Sequence, residues 1–204
     1  MSFYPRRSEV LETIARNIIS KYDESLLYTP APIPVELIME KVYGLTIEYQ
    51  YIRNNGRILG ETVFEDAMIP IYERENKEGY KLVFVEAGTV ILDMSLLNCR
   101  SDGRLHFTCG HELSHWVIDK EYFAELGRTA KMTNKPVRSS EVDKAVEYQA
   151  DRMAGCILMP KCTLKKAFYH NFKNVKDITA YLASQYEVSK QAMGIRLREM
   201  GLLP

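Results

Sequence analysis

The feature that most constrains this chain is a pair of histidines, His111 and His115, separated by three residues of which the first is Glu112. The surrounding stretch, Leu105 to Ile118, carries the apolar residues expected of a buried helix. Residues four apart in a helix lie on the same face, so both imidazoles would point in one direction. The pattern predicts a buried helix that presents two imidazoles and one carboxylate together.

Two imidazoles one helical turn apart can bind the same metal cation, and a neighbouring glutamate can act on water at that cation. This is the arrangement of the His-Glu-x-x-His motif of zinc hydrolases. The spacing therefore predicts His111 and His115 as metal ligands and Glu112 as the catalytic base. The alternative is a chance occurrence, since short motifs also arise from composition alone. A third ligand distinguishes the two interpretations.

A second predicted helix offers that ligand. Its apolar stripe consists of Val142, Val146, Ala150, Met153 and Ile157, and Pro160 ends it. Glu147 lies beside the stripe, with Asp151 one turn further on. Taken alone, Glu147 would be a solvated carboxylate. A catalytic zinc site needs three protein ligands and one open position, so we interpret Glu147 as the third ligand. Asp151 is then the hydrogen-bond partner of a ligand histidine.

The overall composition argues against several classes of protein. At 204 residues the chain suits one medium domain, or one domain with a small appendage. Its 27 basic and 27 acidic residues give a formal net charge of zero, so the chain as a whole does not attract nucleic acid or anionic membranes. The apolar runs are too short to cross a bilayer, and the N-terminus lacks a secretory signal. We expect a cytoplasmic protein with reduced cysteines.

Before the motif helix the apolar spacing changes from helical to strand-like. Extended runs are predicted at Leu45 to Tyr51, Ala67 to Tyr72, Tyr80 to Val85 and Thr89 to Asp93, with a hairpin turn at Asn55 and Gly56. The helices and strands together predict an α+β fold, in which a small, mainly antiparallel sheet packs on a helical core.

The last extended run, Thr89 to Asp93, directly precedes the loop into the motif helix. We expect it to be an edge strand. A substrate segment could then add to it through the main chain of Val90, Ile91 and Leu92. Such binding would favour an extended peptide.

Two blocks of sequence carry a family resemblance. The first runs from His106 to His115, and the second runs from Glu147 to Ala154 and ends at Ile157 to Pro160. Together they resemble the ImmA/IrrE family of metallopeptidases. The resemblance implies a zincin-like core of the gluzincin type, with zinc as the cofactor and manganese as the alternative. It further implies an intracellular endopeptidase of bacterial or phage origin that cleaves a helix-turn-helix repressor and so derepresses mobile-element or stress genes.

The chain departs from the family pattern at four positions, where Gly110, Ser114, Asp151 and Met153 replace the usual alanine, glycine, asparagine and phenylalanine. None of these changes removes a predicted ligand or the base. Gly110 costs the helix about 1 kcal/mol relative to alanine. The charge on Asp151 strengthens a hydrogen bond to a ligand imidazole.

The C-terminal tail has two interpretations. We expect residues 1–160 to form the metallopeptidase core and residues 161–204 a helical subdomain packed on it. Asp177 and Ser189 are placed to cap two helices that resemble a helix-turn-helix. The residues that would then face DNA are Lys190, Gln191, Arg196 and Arg198. In that alternative the protein is a DNA-binding regulator with a structural or vestigial metal site, but the neutral charge favours a helical pair that packs on the core.

Overall fold

The computed structural model describes residues 5–52, 58–73, 79–99, 103–124 and 140–204. The hairpin turn predicted at Asn55 and Gly56 lies outside these ranges. The described part of the chain is an α+β fold in which helices cover one side of a small sheet and a two-stranded ribbon covers the other.

Two helices begin the chain, α1 at Ser8–Asp23 and α2 at Val35–Tyr43, with a short 3-10 turn at Glu24–Leu27. The proline-rich stretch between them cannot be helical and lies against the body with Ile33 buried. Gly44 ends α2 with a positive φ of 65°, a conformation that favours glycine.

The described ranges then contain five strands: β1 (Thr46–Gln50), β2 (Gly60–Thr62), β3 (Ala67–Glu73), β4 (Gly79–Val85) and β5 (Thr89–Asp93). One sheet has the order β1-β5-β2, in which β1 is parallel and β2 antiparallel to β5. The strands β3 and β4 form a separate antiparallel ribbon. The predicted fold class, with small and mainly antiparallel sheets, is confirmed.

The prediction that Thr89–Asp93 is an edge strand is wrong. β5 is the central strand of its sheet, because β1 pairs with one of its edges and β2 with the other. Val90, Ile91 and Leu92 are completely buried. Their main-chain groups already belong to the two ladders, so a substrate segment cannot add to this strand.

The central sheet separates two apolar clusters. Alternate residues of a strand face opposite sides, so Val90 and Leu92 join the large cluster of the helices while Ile91 joins a smaller one. The smaller cluster consists of Ile52, Val63, Ile69, Ile71, Val85 and Ile91. It fills the space between the sheet and the β3–β4 ribbon. The molecule therefore has three layers: helices, sheet and ribbon.

The remaining helices are α3 (Arg104–Ser114), a π-helical turn at His115–Asp119 that continues helically through residue 124, α4 (Ser140–Leu158), α5 (Lys161–Asn171), α6 (Ile178–Gln185) and α7 (Lys190–Glu199). The helices α3 and α4 pack against each other. A Cβ added to Gly110 would lie 3.2 Å from Leu158 Cδ1, so the glycine allows this close approach. Cys109 and Cys156 are buried free thiols.

The C-terminal helices share the large apolar cluster with the N-terminal ones. Leu164, Leu182 and Leu197 lie in the same cluster as Leu11. This one cluster therefore includes residues from both sides of Pro160. The division into residues 1–160 and 161–204 stays a prediction. None of the helices in the described ranges is long and apolar enough to span a bilayer.

The predicted caps of the last two helices are present. The Asp177 side chain accepts from the Ala180 N–H, and the Ser189 side chain accepts from the Ala192 N–H. Arg196 is only 4% exposed, however, and lies 2.8 Å from the Glu12 carboxylate. Its side chain belongs to the packing between α7 and α1, so the expectation that Arg196 could face DNA is wrong.

Candidate metal centre

The two histidines of α3 and the glutamate of α4 meet at one point. The Nε2 atoms of His111 and His115 lie 3.0 Å apart. The Glu147 carboxylate reaches across from α4, with Oε2 3.1 Å from His111 Nε2 and Oε1 3.5 Å from His115 Nε2. The three donor atoms all lie within 4.8 Å of one another. The structure thus brings together the three residues predicted as ligands.

The chemistry of these donors fits a divalent cation. Two imidazole nitrogens and one carboxylate oxygen form a donor set typical of a catalytic zinc site, which keeps a further position open. The three side chains line a cavity of about 800 Å³, bounded on the other side by β2. Water or a substrate carbonyl could approach from this cavity. A structural site would instead be closed by a fourth protein ligand.

The electrostatics of the cluster favour positive charge. Burial lowers the pKa of His111, but hydrogen bonds to Asp151 and Glu147 outweigh it and raise the pKa to about 10. Burial likewise lowers the pKa of His115, while Asp119 and Glu147 raise it to about 9. The two histidines hold the pKa of Glu147 far below its ordinary value. The carboxylates around the two imidazoles therefore favour positive charge at the point where a cation would bind.

Each ligand histidine has a carboxylate on its other ring nitrogen. Asp151 Oδ1 lies 2.9 Å from His111 Nδ1, as the sequence predicted for one of the histidines. Asp119 Oδ2 lies 3.0 Å from His115 Nδ1. When each Nδ1–H donates to its carboxylate, the lone pair of each Nε2 is left for a metal.

Asp119 was not identified from the sequence. It follows His115 by four residues, as His115 follows His111, and this spacing was the available signal. The π-helical turn at His115–Asp119 is a local widening of the kind often found at functional sites. Gln149 Nε2 donates to Asp119 Oδ1 at 3.2 Å, and the Arg6 N–H donates to Gln149 Oε1 at 2.6 Å. These bonds connect the N-terminal segment to His115.

Glu112 lies beside the ligands, lines the cavity and is only 5% exposed. The Thr62 hydroxyl donates to Glu112 Oε2 at 2.6 Å. Thr62 belongs to β2, fifty residues earlier in the chain, so no local pattern could have identified it. The strand beside the predicted base is therefore β2, rather than the strand of Val90, Ile91 and Leu92.

A protein-family model matches the chain over the region of the candidate site. Residues 94–198 match the model of the Peptidase_M78 family, described as an IrrE N-terminal-like domain. The match covers 105 of the 204 residues, which is just over half of the chain. It includes His111, Glu112, His115 and Glu147. No curated protein matched the sequence.

Comparison with solved structures gave a more distant similarity. A Mycobacterium tuberculosis transcriptional regulator superposes with a TM-score of 0.52 at 13% sequence identity. The alignment covers 93% of this chain and 46% of that regulator, so the chain spans just under half of the regulator's length. At this identity the similarity shows a shared fold alone.

Proposed function

The chain belongs to the family of IrrE N-terminal-like domains, and from this membership we propose that it is a zinc-dependent endopeptidase. The observation that carries the proposal is the convergence of donor atoms from His111, His115 and Glu147 beside the buried carboxylate of Glu112. A purely structural metal site has no use for a base next to its ligands. A hydrolase needs both the metal ligands and the base.

In the proposed mechanism His111, His115 and Glu147 hold the cation, with zinc favoured by the donor types and manganese the alternative. Bound zinc supplies Lewis-acid activation of water and of the scissile carbonyl. Glu112 accepts a proton from the attacking water as the O–C bond forms. It then passes that proton to the departing amine as the C–N bond breaks, which leaves a new carboxyl terminus and a new amino terminus.

Asp151 and Asp119 act on the ligands and not on the substrate. Each accepts the Nδ1–H of one histidine, which fixes the orientation of the ring and increases the basicity of its Nε2. The cavity beside these residues has room for a segment of polypeptide. We propose that the substrate is a helix-turn-helix repressor, whose cleavage derepresses mobile-element or stress genes.

The alternative function, a DNA-binding regulator with a structural or vestigial metal site, has weaker support. Arg196 is engaged with Glu12 inside the protein, and Lys190 lies 2.7 Å from Asp177. The Arg196 side chain is buried and cannot reach DNA, whereas Lys190 is exposed in a surface ion pair. The two functions differ in one simple measurement, since only the regulator would bind a specific duplex with strong salt dependence in the absence of metal.

The test of the base is Glu112→Gln. The zinc-loaded protein is incubated with a proteome-derived peptide library and, separately, co-expressed with any helix-turn-helix repressor that is encoded beside its gene. We expect new termini, detected by mass spectrometry, from the wild type and none from Glu112→Gln, while zinc content is the same in both. Cleavage by the variant would refute the mechanism. Absence of cleavage by the zinc-loaded wild type in both assays would refute the proposed function.

The test of the third ligand is Glu147→Ala. The Glu147 side chain is 57% exposed, so its loss should leave the fold intact while removing one of three donors. We expect the zinc content after dialysis to fall from one equivalent to well below one. Glu40→Ala, which removes an exposed glutamate from α2, is the matched control and should keep its zinc. Full zinc content in Glu147→Ala would exclude the ligand assignment.

A further inference from the structure

Two residues of β2 hold the side chain of Glu112 between them. Gly60 and Thr62 are two positions apart, so both face the same side of the sheet. That side carries α3. The Thr62 hydroxyl donates to Glu112 Oε2 at 2.6 Å, and the main-chain carbonyl of Glu112 lies 3.3 Å from the same hydroxyl. The strand therefore contacts both the carboxylate and the backbone of the predicted base.

Gly60 provides the space in which the carboxylate lies. A Cβ built on Gly60 would be 2.8 Å from both Cγ and Cδ of Glu112, which is shorter than any ordinary contact between carbons. The strand is not free to withdraw, because Gly60 pairs with Leu92 and Thr62 with Val90 of the buried β5. The Glu112 side chain thus packs against the backbone of Gly60, which the strand pairing holds in place.

We propose that Thr62 is a positioning residue that orients Glu112 for proton transfer, in a space that Gly60 keeps open. The inference rests on the proposed hydrolysis. A buried carboxylate needs hydrogen-bond donors, and a bond to its charged form is among the stronger kinds. With Oε2 held by Thr62, Oε1 is the oxygen that takes the proton of water. The threonine keeps its own proton throughout.

Orientation matters because a base works only within hydrogen-bond reach of the proton it removes. A glutamate side chain has three rotatable bonds, and a displacement of about 1 Å at a catalytic group can lower the rate about a hundredfold. A single hydroxyl from a rigid strand restricts that motion. The hydroxyl contributes nothing to metal binding, so its effect should appear in the rate of the chemical step.

The decisive variant is Thr62→Val, which replaces the hydroxyl with a methyl group of similar size. The probe is the peptide of the proteome-derived library that the wild type cleaves fastest. We expect kcat to fall about 10- to 100-fold, with KM and zinc content unchanged. Thr62→Ser keeps a hydroxyl and should restore kcat to within a few-fold of the wild type. Thr46→Val, at an exposed threonine of β1, is the matched control and should change nothing.

Two outcomes would overturn this inference and leave the proposed function intact. They are an unchanged kcat in Thr62→Val, or a loss of kcat in Thr62→Ser as large as that in Thr62→Val. If thermal melting shows that Thr62→Val does not fold, Gly60→Ala decides, because its methyl group must displace the Glu112 carboxylate. A normal kcat in a folded, zinc-replete Gly60→Ala would then refute the inference. If the wild type cleaves neither a library peptide nor a co-expressed repressor, the proposed function fails, and this inference with it.

Discussion

The two histidines of the candidate metal centre are held in nearly identical ways by very different surroundings. His111 Nδ1 lies 2.9 Å from Asp151, whose side chain is 56% exposed and belongs to another helix. His115 Nδ1 lies 3.0 Å from Asp119, whose side chain is 1% exposed and lies one turn along the same chain segment. The geometry of the two bonds is equal, but only one of them is shielded from water.

The difference shows that distance alone does not tell how much a hydrogen bond contributes. The Asp151 side chain is largely solvated, so water can replace it as the hydrogen-bond partner of His111. At His115 the buried Asp119 also accepts from Gln149, so its removal would leave two donors without a partner. Asp119 therefore supports the fold as well as the metal centre, whereas Asp151 mainly adjusts the metal centre.

The largest effect is expected from Asp119→Ala. Removing the carboxylate leaves His115 Nδ1–H and the Gln149 amide unpaired in the interior, which should cost about 3 kcal/mol of unfolding free energy. Zinc affinity should fall about 10- to 100-fold. Urea denaturation of the metal-free protein and titration with a competing chelator measure the two quantities. If Asp119→Ala had the wild-type unfolding free energy and zinc affinity, the proposed difference between Asp119 and Asp151 would be refuted.

A second, smaller effect concerns protons. The pKa of His111 is raised to about 10 and that of His115 to about 9 in the metal-free protein, so protons still compete with a cation for the two imidazoles at pH 8. Zinc binding at pH 8 must expel them, and we expect about one to two protons released per zinc. The apparent affinity should keep rising with pH up to about 10, the higher of the two pKa values. Histidines of ordinary pKa would release almost none at pH 8.

Calorimetry in two buffers of different ionisation enthalpy counts these protons. Asp151→Asn and Asp119→Asn should each reduce the number, because each removes the charge that raises the pKa of one ring. Identical binding enthalpies of the wild type in the two buffers would show that no proton is released. That result would contradict the raised pKa values of both histidines.

The smallest effect is expected from Asp151→Asn. The asparagine oxygen can still accept from His111 Nδ1, and the position is exposed, so stability should change by less than about 0.5 kcal/mol. Zinc affinity should fall less than about tenfold, since a neutral acceptor makes a weaker bond. The same denaturation and chelator titrations apply. A loss of stability and zinc affinity as large as that in Asp119→Ala would mean that burial does not determine how much each carboxylate contributes.

Local spacing predicted the parts of the site that single helices determine. His111 and His115 share a face because of the helical repeat, with Glu112 next to His111 in sequence, and Glu147 and Asp151 follow from the same repeat on the next helix. Asp119 was within reach of this reasoning but was missed. Thr62 could not be found by this reasoning, because a contact between residues fifty positions apart depends on how the sheet is assembled.

The strand order was the main error, and the sequence did contain a signal against it. Val90, Ile91 and Leu92 form an uninterrupted apolar run, which is typical of a strand covered on both faces. An edge strand beside solvent would more often alternate. What the run could not reveal is that β1 pairs with β5 in parallel, since a crossover connection joins strands that are distant in sequence.

The order of the elements along the chain determines when the candidate metal centre can form during synthesis. During synthesis β1 leaves the ribosome before the strand it pairs with, and α3 leaves before the helix that carries Glu147. A nascent chain that has just exposed His115 offers an ion only two protein donors. Tight metal binding should therefore wait until α4 has also folded against α3, and ions captured earlier should exchange freely.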